Sequence, residues 1–194
     1  MFELPTTVIV QDKEYKIRNR GDYKVMLDIF NAFNDPDLDK QCQIYAGLII
    51  FYEDINSIED VLLAFGDCIE DAVNAMNTFL NCGDESPAGI KLPYKLVDWK
   101  QDSQLIASAI NQVAKQEIRA LEYCHWWTFM GYYLAIGDCP FSTIVSIRSK
   151  IKKGKNLEKY EQEFRRENPQ YFIWDSMSVE DKQQQDEIMS MWNN

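Results

Sequence analysis

Leu121-Glu122-Tyr123-Cys124-His125-Trp126-Trp127-Thr128-Phe129-Met130 is the stretch that most constrains the fold of this chain. It contains the only histidine of the protein beside two of its five tryptophans. A tryptophan pair carries a large apolar area that must be buried in a core or against a partner. The residues around this pair are nearly all apolar or aromatic, which predicts a central, buried helix over 123–136 that Gly137 can end.

Length and composition indicate one domain of 194 residues with a hydrophobic core, 46% of the residues being apolar. No apolar run is long enough to cross a membrane, and the N-terminus lacks the pattern of a secretory signal. The five cysteines are scattered, odd in number and without a C-x-x-C pair. We therefore expect reduced thiols, a location in the cytoplasm and no membrane partner.

Charge is distributed unevenly along the chain. The net charge is −11, which disfavours nucleic acid as the main partner because phosphate contacts need a basic surface. The segment 148–166 nevertheless holds eight Lys/Arg and three Glu, a local charge of +5. The sequence thus describes an acidic body with one basic segment near its C-terminal end.

Short β-branched and aromatic runs near the N-terminus predict a β-hairpin over 6–19. Its predicted strands are Thr7–Val10 and Glu14–Ile17, with the turn at Gln11-Asp12-Lys13. Two strands alone are marginally stable, so we expect the hairpin to lie on helices.

Apolar residues at steps of three or four predict helices through the rest of the chain. Helix starts are expected at Asp22, at Asp35 followed by Pro36, and at Ser57, whose spacing to Asp60 resembles a capping box. The predicted inward faces of the first three helices are Val25, Ile29 and Phe33; Ile44, Leu48 and Phe51; and, along one long helix from 57 to 80, Ile58, Val61, Leu62, Phe65, Ile69, Val73, Met76 and Leu80.

The second half continues the helical pattern. A helix beyond Asp102 is expected to place Leu105, Ile106, Ile110, Val113, Ile118 and Leu121 on one face. Another begins at Pro140, turns Ile144, Ile147 and Ile151 inward, and stops at Gly154. Segment 156–168 is predicted to be a charged helix with few core anchors, namely Leu157, Tyr160 and Phe164. A second helical segment, 178–192, carries its apolar residues at its end: Ile188, Met189, Met191 and Trp192.

Together these patterns predict a mainly α fold, a helical bundle of about six to eight helices with a small N-terminal β-hairpin. The predicted domains are a helical body over 1–154 and a charged helical C-terminal appendage over 155–194 that packs only in part.

His125 is a candidate general base or metal ligand, but its surroundings in sequence favour a structural role. Its neighbour Cys124 does not face it on a helix, and zinc would lack clustered ligands. Asp98 and Asp102, four residues apart, are candidates for sharing a proton or binding a divalent cation. The structural alternative is that they begin a helix and that one of them pairs with His125 or Arg148 where helices cross.

Trp126 and Trp127 are either a ligand-stacking platform, partner-binding anchors or core, and helical stripes of aromatics are more often core. The basic segment 148–166 is either a phosphate-binding surface or a solvated helix, and its glutamates would repel a phosphate backbone. Phosphate loops, nucleophile elbows and the H-E-x-x-H motif are absent from the sequence. We therefore expect no enzymatic activity, no cofactor and no metal.

Four features in order resemble a small family from siphophages and prophages of Gram-positive bacteria. They are the N-terminal hairpin, Asp98-Trp99-x-Gln101-Asp102, His125-Trp126-Trp127-x-Phe129, and Ile147-Arg148 leading into Lys150-Ile151-Lys152-Lys153-Gly154-Lys155. The resemblance covers about residues 4–168. Genes of that family typically lie between those of the major tail protein and the tape-measure protein, and the family is regarded as tail assembly chaperones.

The resemblance implies a chaperone that binds the apolar, helical tape-measure protein, helps to recruit major tail tube protein and is absent from the mature virion. A binding mode in which helices lie in a groove, and many weak copies act along one chain, would suit that task. The alternatives are a structural tail component retained in the virion, a nucleic-acid-binding regulator using 148–166, and a small carboxylate-based enzyme. Self-association stays open.

The residues expected to matter fall into two sets. The structural signature is Asp98, Trp99, Asp102, His125, Trp126, Trp127 and Arg148. The predicted partner-binding residues are Lys152, Lys153, Lys155, Arg165, Arg166, Met189 and Trp192.

Overall fold

A computed structural model describes residues 3–84 and 96–173 of the chain. These residues form a mainly α fold with a two-stranded N-terminal hairpin, as predicted. The elements are β1 Thr7–Val10, β2 Lys13–Lys16, α1 Tyr23–Phe33, α2 Lys40–Phe51, α3 Ile58–Phe65, α4 Ile69–Leu80, α5 Ser103–Ala114, α6 Trp126–Leu134, α7 Pro140–Lys152 and α8 Lys159–Glu167. The helix predicted over 178–192 lies outside the described residues.

The hairpin pairs β1 and β2 antiparallel, with Val8 opposite Tyr15. Its turn is shorter than predicted, because Gln11 and Asp12 both adopt positive φ angles and Lys13 already belongs to β2. Two such residues make the tight connection whose twist matches that of the strands. Val10 is buried and β1 packs against α4, so the hairpin lies on helices as expected.

The side chain of Asp22 caps α1 by accepting the N–H of Lys24. The buried face of α1 differs from the predicted one: Tyr23, Met26 and Ile29 are buried, whereas Val25 and Phe33 are only half-buried. The start predicted at Asp35-Pro36 is wrong. α2 begins at Lys40 under an Asp39 cap, since Asp35 closes a turn by accepting the N–H of Asp37.

α1 and α2 approach closely where α2 carries Gly47. A Cβ atom there would lie 2.6 Å from Cε1 of Phe33, so a larger residue would require the Phe33 ring to move. Leu48 and Phe51 of α2 are fully buried, as predicted, whereas Ile44 is exposed. The absence of a side chain at Gly47 therefore lets the Phe33 ring of α1 pack against α2.

The long helix predicted from 57 to 80 is broken in the middle. Ser57 caps α3 by accepting the N–H of Asp60, as expected, but α3 stops at Phe65. Gly66 has φ 46° and ψ −117°, a conformation available essentially to glycine alone, and a short 3-10 turn leads into α4. Ile58 and Leu62, predicted to point inward, are exposed on α3.

The next predicted helix also ends early. α5 stops at Ala114 because Lys115 adopts the left-handed conformation, and Ile118 is buried from a separate 3-10 turn, Ile118–Ala120. α6 is shorter than predicted because His125 caps its start and Ala135 follows its end, ahead of Gly137. α7 begins at Pro140 as predicted, and Gly154 with φ 62° follows its last turn.

The core lies where α1, α2, α4, α5 and α6 meet, and it is rich in aromatic rings. Phe51 contacts Tyr52 and Phe79 edge-on, and Tyr23 stacks on Phe129 with centroids 4.5 Å apart. Such ring pairs add to the free energy gained by burial. Within the described residues, no helix is long and apolar enough to cross a bilayer.

The described part of the segment after Gly154 contacts the body. Leu157 and Glu161 are buried, whereas Tyr160, expected as an anchor, is exposed and Phe164 is half-buried. The Nζ atom of Lys150 on α7 lies 2.7 Å from Oε1 of Glu161 on α8. The boundary between a body and an appendage at 154/155 stays a prediction.

Candidate functional site

His125 is a buried structural residue in this fold, with 2% of its surface exposed. Its Nδ1 accepts the N–H of Trp127 at 3.1 Å, which places the ring proton on Nε2, 2.9 Å from the carbonyl oxygen of Pro5. Burial lowers the pKa of His125 below its ordinary value, and the bond to Pro5 acts in the opposite direction. Both ring nitrogens are therefore occupied by backbone groups.

Asp22 joins α1 to the start of α6, a role that sequence reasoning missed. One carboxylate oxygen accepts the N–H of Lys24 and the other accepts the N–H of Cys124, while Tyr23 donates its N–H to the Cys124 carbonyl. The helix cap is visible in the sequence, but the second bond spans 102 residues and leaves no local signal.

Asp98 and Asp102 have different partners and do not form an acid pair. Oδ1 of Asp98 accepts the N–H groups of Lys100 and Gln101, which closes a turn ahead of α5. Asp102 binds Arg148 through both carboxylate oxygens, at 2.6 and 2.9 Å, and also accepts the N–H of Asp98. Asp102 and Arg148 are both almost fully buried, so this is an internal ion pair where α5 meets α7.

Arg148 binds two further parts of the chain. Its guanidinium donates to the carbonyl oxygen of Leu96 and, through two nitrogens, to that of Tyr171. Arginine suits this position because its planar group presents five N–H donors. The same side chain therefore connects Asp102 at the start of α5, Leu96 and the turn at Tyr171.

The tryptophans of the signature also have structural surroundings. Trp126 is 1% exposed and donates its indole N–H to Leu80, while Trp127 donates to Phe79. These carbonyls belong to the last turn of α4, where helical oxygens lack partners of their own. Trp99 packs against Trp126 and Tyr133, with centroids 6.1 and 5.1 Å apart. Trp126 is thus core, and no ligand can stack on it.

Among three hollows found in the described residues, the one with the most apolar lining is a groove between α1 and α5. It has a volume of about 430 Å³. Its apolar lining is Tyr23, Leu27, Trp99, Ile106, Ala107, Ile118 and Phe129. Its polar rim is Lys24, Asp28, Asn31, Lys100, Ser103 and Arg119.

The rim of this α1–α5 groove is basic, although the net charge of the whole protein is −11. Its lining includes three cations and one carboxylate: Lys24, Lys100, Arg119 and Asp28. Arg119 is partly neutralised by Glu117, whose pKa falls to about 2 because Arg119 donates hydrogen bonds to it. Lys24 donates to the carbonyl of Leu121 across the groove's edge. A second hollow of about 600 Å³, on the Gln104–Gln112 side of α5, is lined mostly by amides and hydroxyls.

The predicted partner-binding cations lie away from that groove. Lys153, Lys155 and Arg166 are exposed, and Lys152 and Arg165 are half-buried. None of them lines the α1–α5 groove. Met189 and Trp192 fall outside the described residues. Within 3–84 and 96–173, no three His, Cys, Asp or Glu side chains gather as metal ligands would.

Comparison with protein families decides what kind of protein carries this geometry. The model of the bacteriophage Gp15 protein family matches residues 2–172. The chain belongs to that family. No curated protein and no solved structure matches this Gp15 family chain.

Family membership makes the chain a phage protein of structural or morphogenetic type. The match reaches farther along this Gp15 protein than the resemblance predicted from its motifs, and it includes Tyr171. That residue supplies the carbonyl that Arg148 binds.

Proposed function

We propose that this Gp15 family protein is a tail assembly chaperone. In this proposal the α1–α5 groove binds apolar side chains of a helical segment of the tape-measure protein, and the complex then recruits tail tube subunits. The observation that carries the proposal is the groove itself: an apolar floor, a polar rim, and side chains held in place by the core beneath them.

The floor of the groove is suited to apolar anchors. Phe129 and Ile106 are held by the core, and Leu27 lies half-buried at the edge. Amphipathic helices bind such grooves by inserting side chains at steps of three or four residues. The volume of about 430 Å³ is enough for a few side chains and leaves the rest of a helix on the rim.

The charge of the protein supports the same task. A tape-measure chain without its tube exposes apolar helical faces, which promote aggregation. A bound protein with a net charge of −11 would keep such a complex dispersed through repulsion. The function in this proposal is binding alone, without a catalytic step, cofactor or metal, in the cytoplasm of the bacterial host.

Co-expression with the cognate tape-measure protein tests the proposal. The wild-type chain is expected to keep the tape-measure protein soluble and to co-purify with it. Ser103→Trp places an indole in the rim of the groove and is expected to weaken binding about tenfold, or about 1.4 kcal/mol. Ser108→Trp is the matched control, because Ser108 is also exposed on α5 but lines the other hollow.

Two results would contradict the proposal. The tape-measure protein could stay insoluble beside the wild-type chain, or both tryptophan variants could bind equally well. Mass spectrometry of purified virions adds a separate check, since a chaperone is expected to be missing from them and a retained tail component would be detected.

A further inference from the structure

The described residues from Gln41 to Asp84 contain no lysine, arginine or histidine. They include most of α2 and all of α3 and α4. Eight acidic residues lie in this segment: Glu53, Asp54, Glu59, Asp60, Asp67, Glu70, Asp71 and Asp84. This part of the molecule is therefore strongly negative, whereas 148–166 carries a charge of +5.

The outer side of α3 combines that negative charge with exposed apolar side chains. We define the α3 face as Ile58, Glu59, Leu62 and Leu63. Leu63 is 89% exposed, Leu62 is 50% and Ile58 is 45%. Residues four apart lie above one another on a helix, so Leu62 continues Ile58 and Leu63 continues Glu59. Ser57 and Asp60 stabilise the start of α3, since Ser57 accepts the N–H of Asp60 and Asp60 accepts the N–H of Asn56.

The α8 face has the complementary character. We define it as Lys153, Lys155, Lys159, Tyr160 and Arg166. All five residues are exposed, and Tyr160 is 63% exposed. Glu161 of α8 is buried against Lys150 and also accepts the hydroxyl of Tyr160 at 3.4 Å, which fixes the orientation of the helix. Arg166 already pairs with Glu163 at 3.6 Å, so the three lysines near Tyr160 are the cations that match the acids around the leucines.

We propose that the α3 face of one molecule binds the α8 face of a second copy. Apolar contact between Tyr160 and the leucines removes Leu63, the most exposed large apolar residue of the described chain, from water, and the lysines approach Glu59 and its acidic neighbours. Exposed ion pairs contribute little each, so the contact is weak and depends on several pairs acting together.

The charges specify a head-to-tail contact. Two α3 faces brought together would oppose acid with acid, and two α8 faces would oppose cation with cation, both of which are unfavourable. A heterologous contact leaves one α3 face and one α8 face unused at the ends, so copies can add further to form a ring or an open filament.

This contact is independent of the proposed function and uses residues outside the α1–α5 groove. A line of copies would nonetheless suit an elongated partner, since linked binding sites gain in avidity without new contacts. The purified protein alone is enough for the test, so its result does not depend on whether the tape-measure protein is bound.

Sedimentation velocity of the full chain over a range of concentrations is the experiment. The wild-type protein is expected to sediment faster as its concentration rises. The first variant, Glu59→Lys with Leu63→Ser, disables the α3 face. The second, Lys155→Glu with Lys159→Glu, disables the α8 face. Each is expected to stay monomeric alone, whereas an equimolar mixture forms a dimer, since each chain retains the face that the other lacks.

Matched controls use exposed residues elsewhere. Leu134→Ser removes a leucine that is 76% exposed on α6, and Lys40→Glu with Lys115→Glu changes the charge by the same amount as the second variant. Both are expected to assemble like the wild type.

Three outcomes would overturn the proposal: a wild-type chain that is monomeric at every concentration, disabled variants that assemble like the wild type, or a mixture that fails to dimerise. Binding of a basic helical peptide to the α3 face of a monomeric wild type would instead assign that face to another partner.

Discussion

Both ring nitrogens of His125 bind backbone groups, and this determines how the residue responds to pH. Charging the ring requires a proton on Nδ1, which now accepts the N–H of Trp127. Burial lowers the pKa of His125 in the folded state, so the folded protein binds fewer protons than the unfolded chain. The stabilisation is therefore present above the unfolded pKa of about 6.5 and is lost as pH falls through the folded pKa.

The substitution His125→Asn isolates this effect, because His125 is the only histidine. Asparagine can still cap α6 but cannot reach Pro5, so we expect a loss of about 1 kcal/mol at neutral pH. Between about pH 7 and pH 5 the wild type is expected to lose more unfolding free energy than the variant. Urea unfolding, followed by tryptophan fluorescence, measures the unfolding free energy of the wild type and the variant at each pH. Parallel pH profiles of the two proteins would refute the assignment of this pH dependence to His125.

At the scale of elements, the break between α3 and α4 shows what sequence periodicity detects. The hairpin, the caps at Asp22 and Ser57 and the start at Pro140 were predictable because each depends on neighbouring residues. The end of α3 at Gly66 and that of α5 at Lys115 were not. The apolar spacing in the sequence continues across both helix ends, because the elements before and after each end bury residues in the same core.

The candidate groove was unpredictable for a related reason. Its lining comes from α1, from the turn and helix that begin at Trp99, and from 118–129. Of the predicted signature residues, only Trp99 reaches it. The sequence allows either His125 or Arg148 as the partner of Asp102. Arg148 is the partner because α5 and α7 cross there, and the sequence does not show that crossing.

Two glycine substitutions distinguish a true helix break from a continuous helix. Gly66 and Gly131 are both exposed, and an added Cβ would meet no atom within 4 Å at either. Gly66→Ala is expected to destabilise the protein by about 1–3 kcal/mol because its positive φ strains alanine. Gly131→Ala lies within α6 and is expected to stabilise by about 0.5–1 kcal/mol. Thermal unfolding measures the change in stability of each variant. Melting temperatures that shift in the same direction for both variants would contradict a helix break at Gly66.

At the scale of the whole molecule, Arg148 connects the body to the described C-terminal segment. A chain ending at Ile173 keeps the Tyr171 carbonyl, the burial of Leu157 and the pair of Lys150 with Glu161. A chain ending at Gly154 loses all three. We expect the shorter chain to be less stable by about 3 kcal/mol while staying folded, because Arg148 retains Asp102.

Comparison of the two truncated chains by urea unfolding measures that difference directly. Equal midpoints would show that 155–173 adds nothing to the stability of the body. A shorter chain without a cooperative transition would show that this segment belongs to the core, and the predicted boundary at 154/155 would then be wrong.

The lack of cations between Lys40 and Lys91 also governs which reagents can report on the α3 face. Trypsin has no cleavage site between those two lysines, so a digest yields this whole acidic stretch as one large peptide. Amine-reactive cross-linkers likewise find no lysine there. Mapping a complex through this face therefore requires Glu-C digestion and cross-linkers that react with carboxyl groups. Lysine-directed cross-linking would give no contact within this stretch.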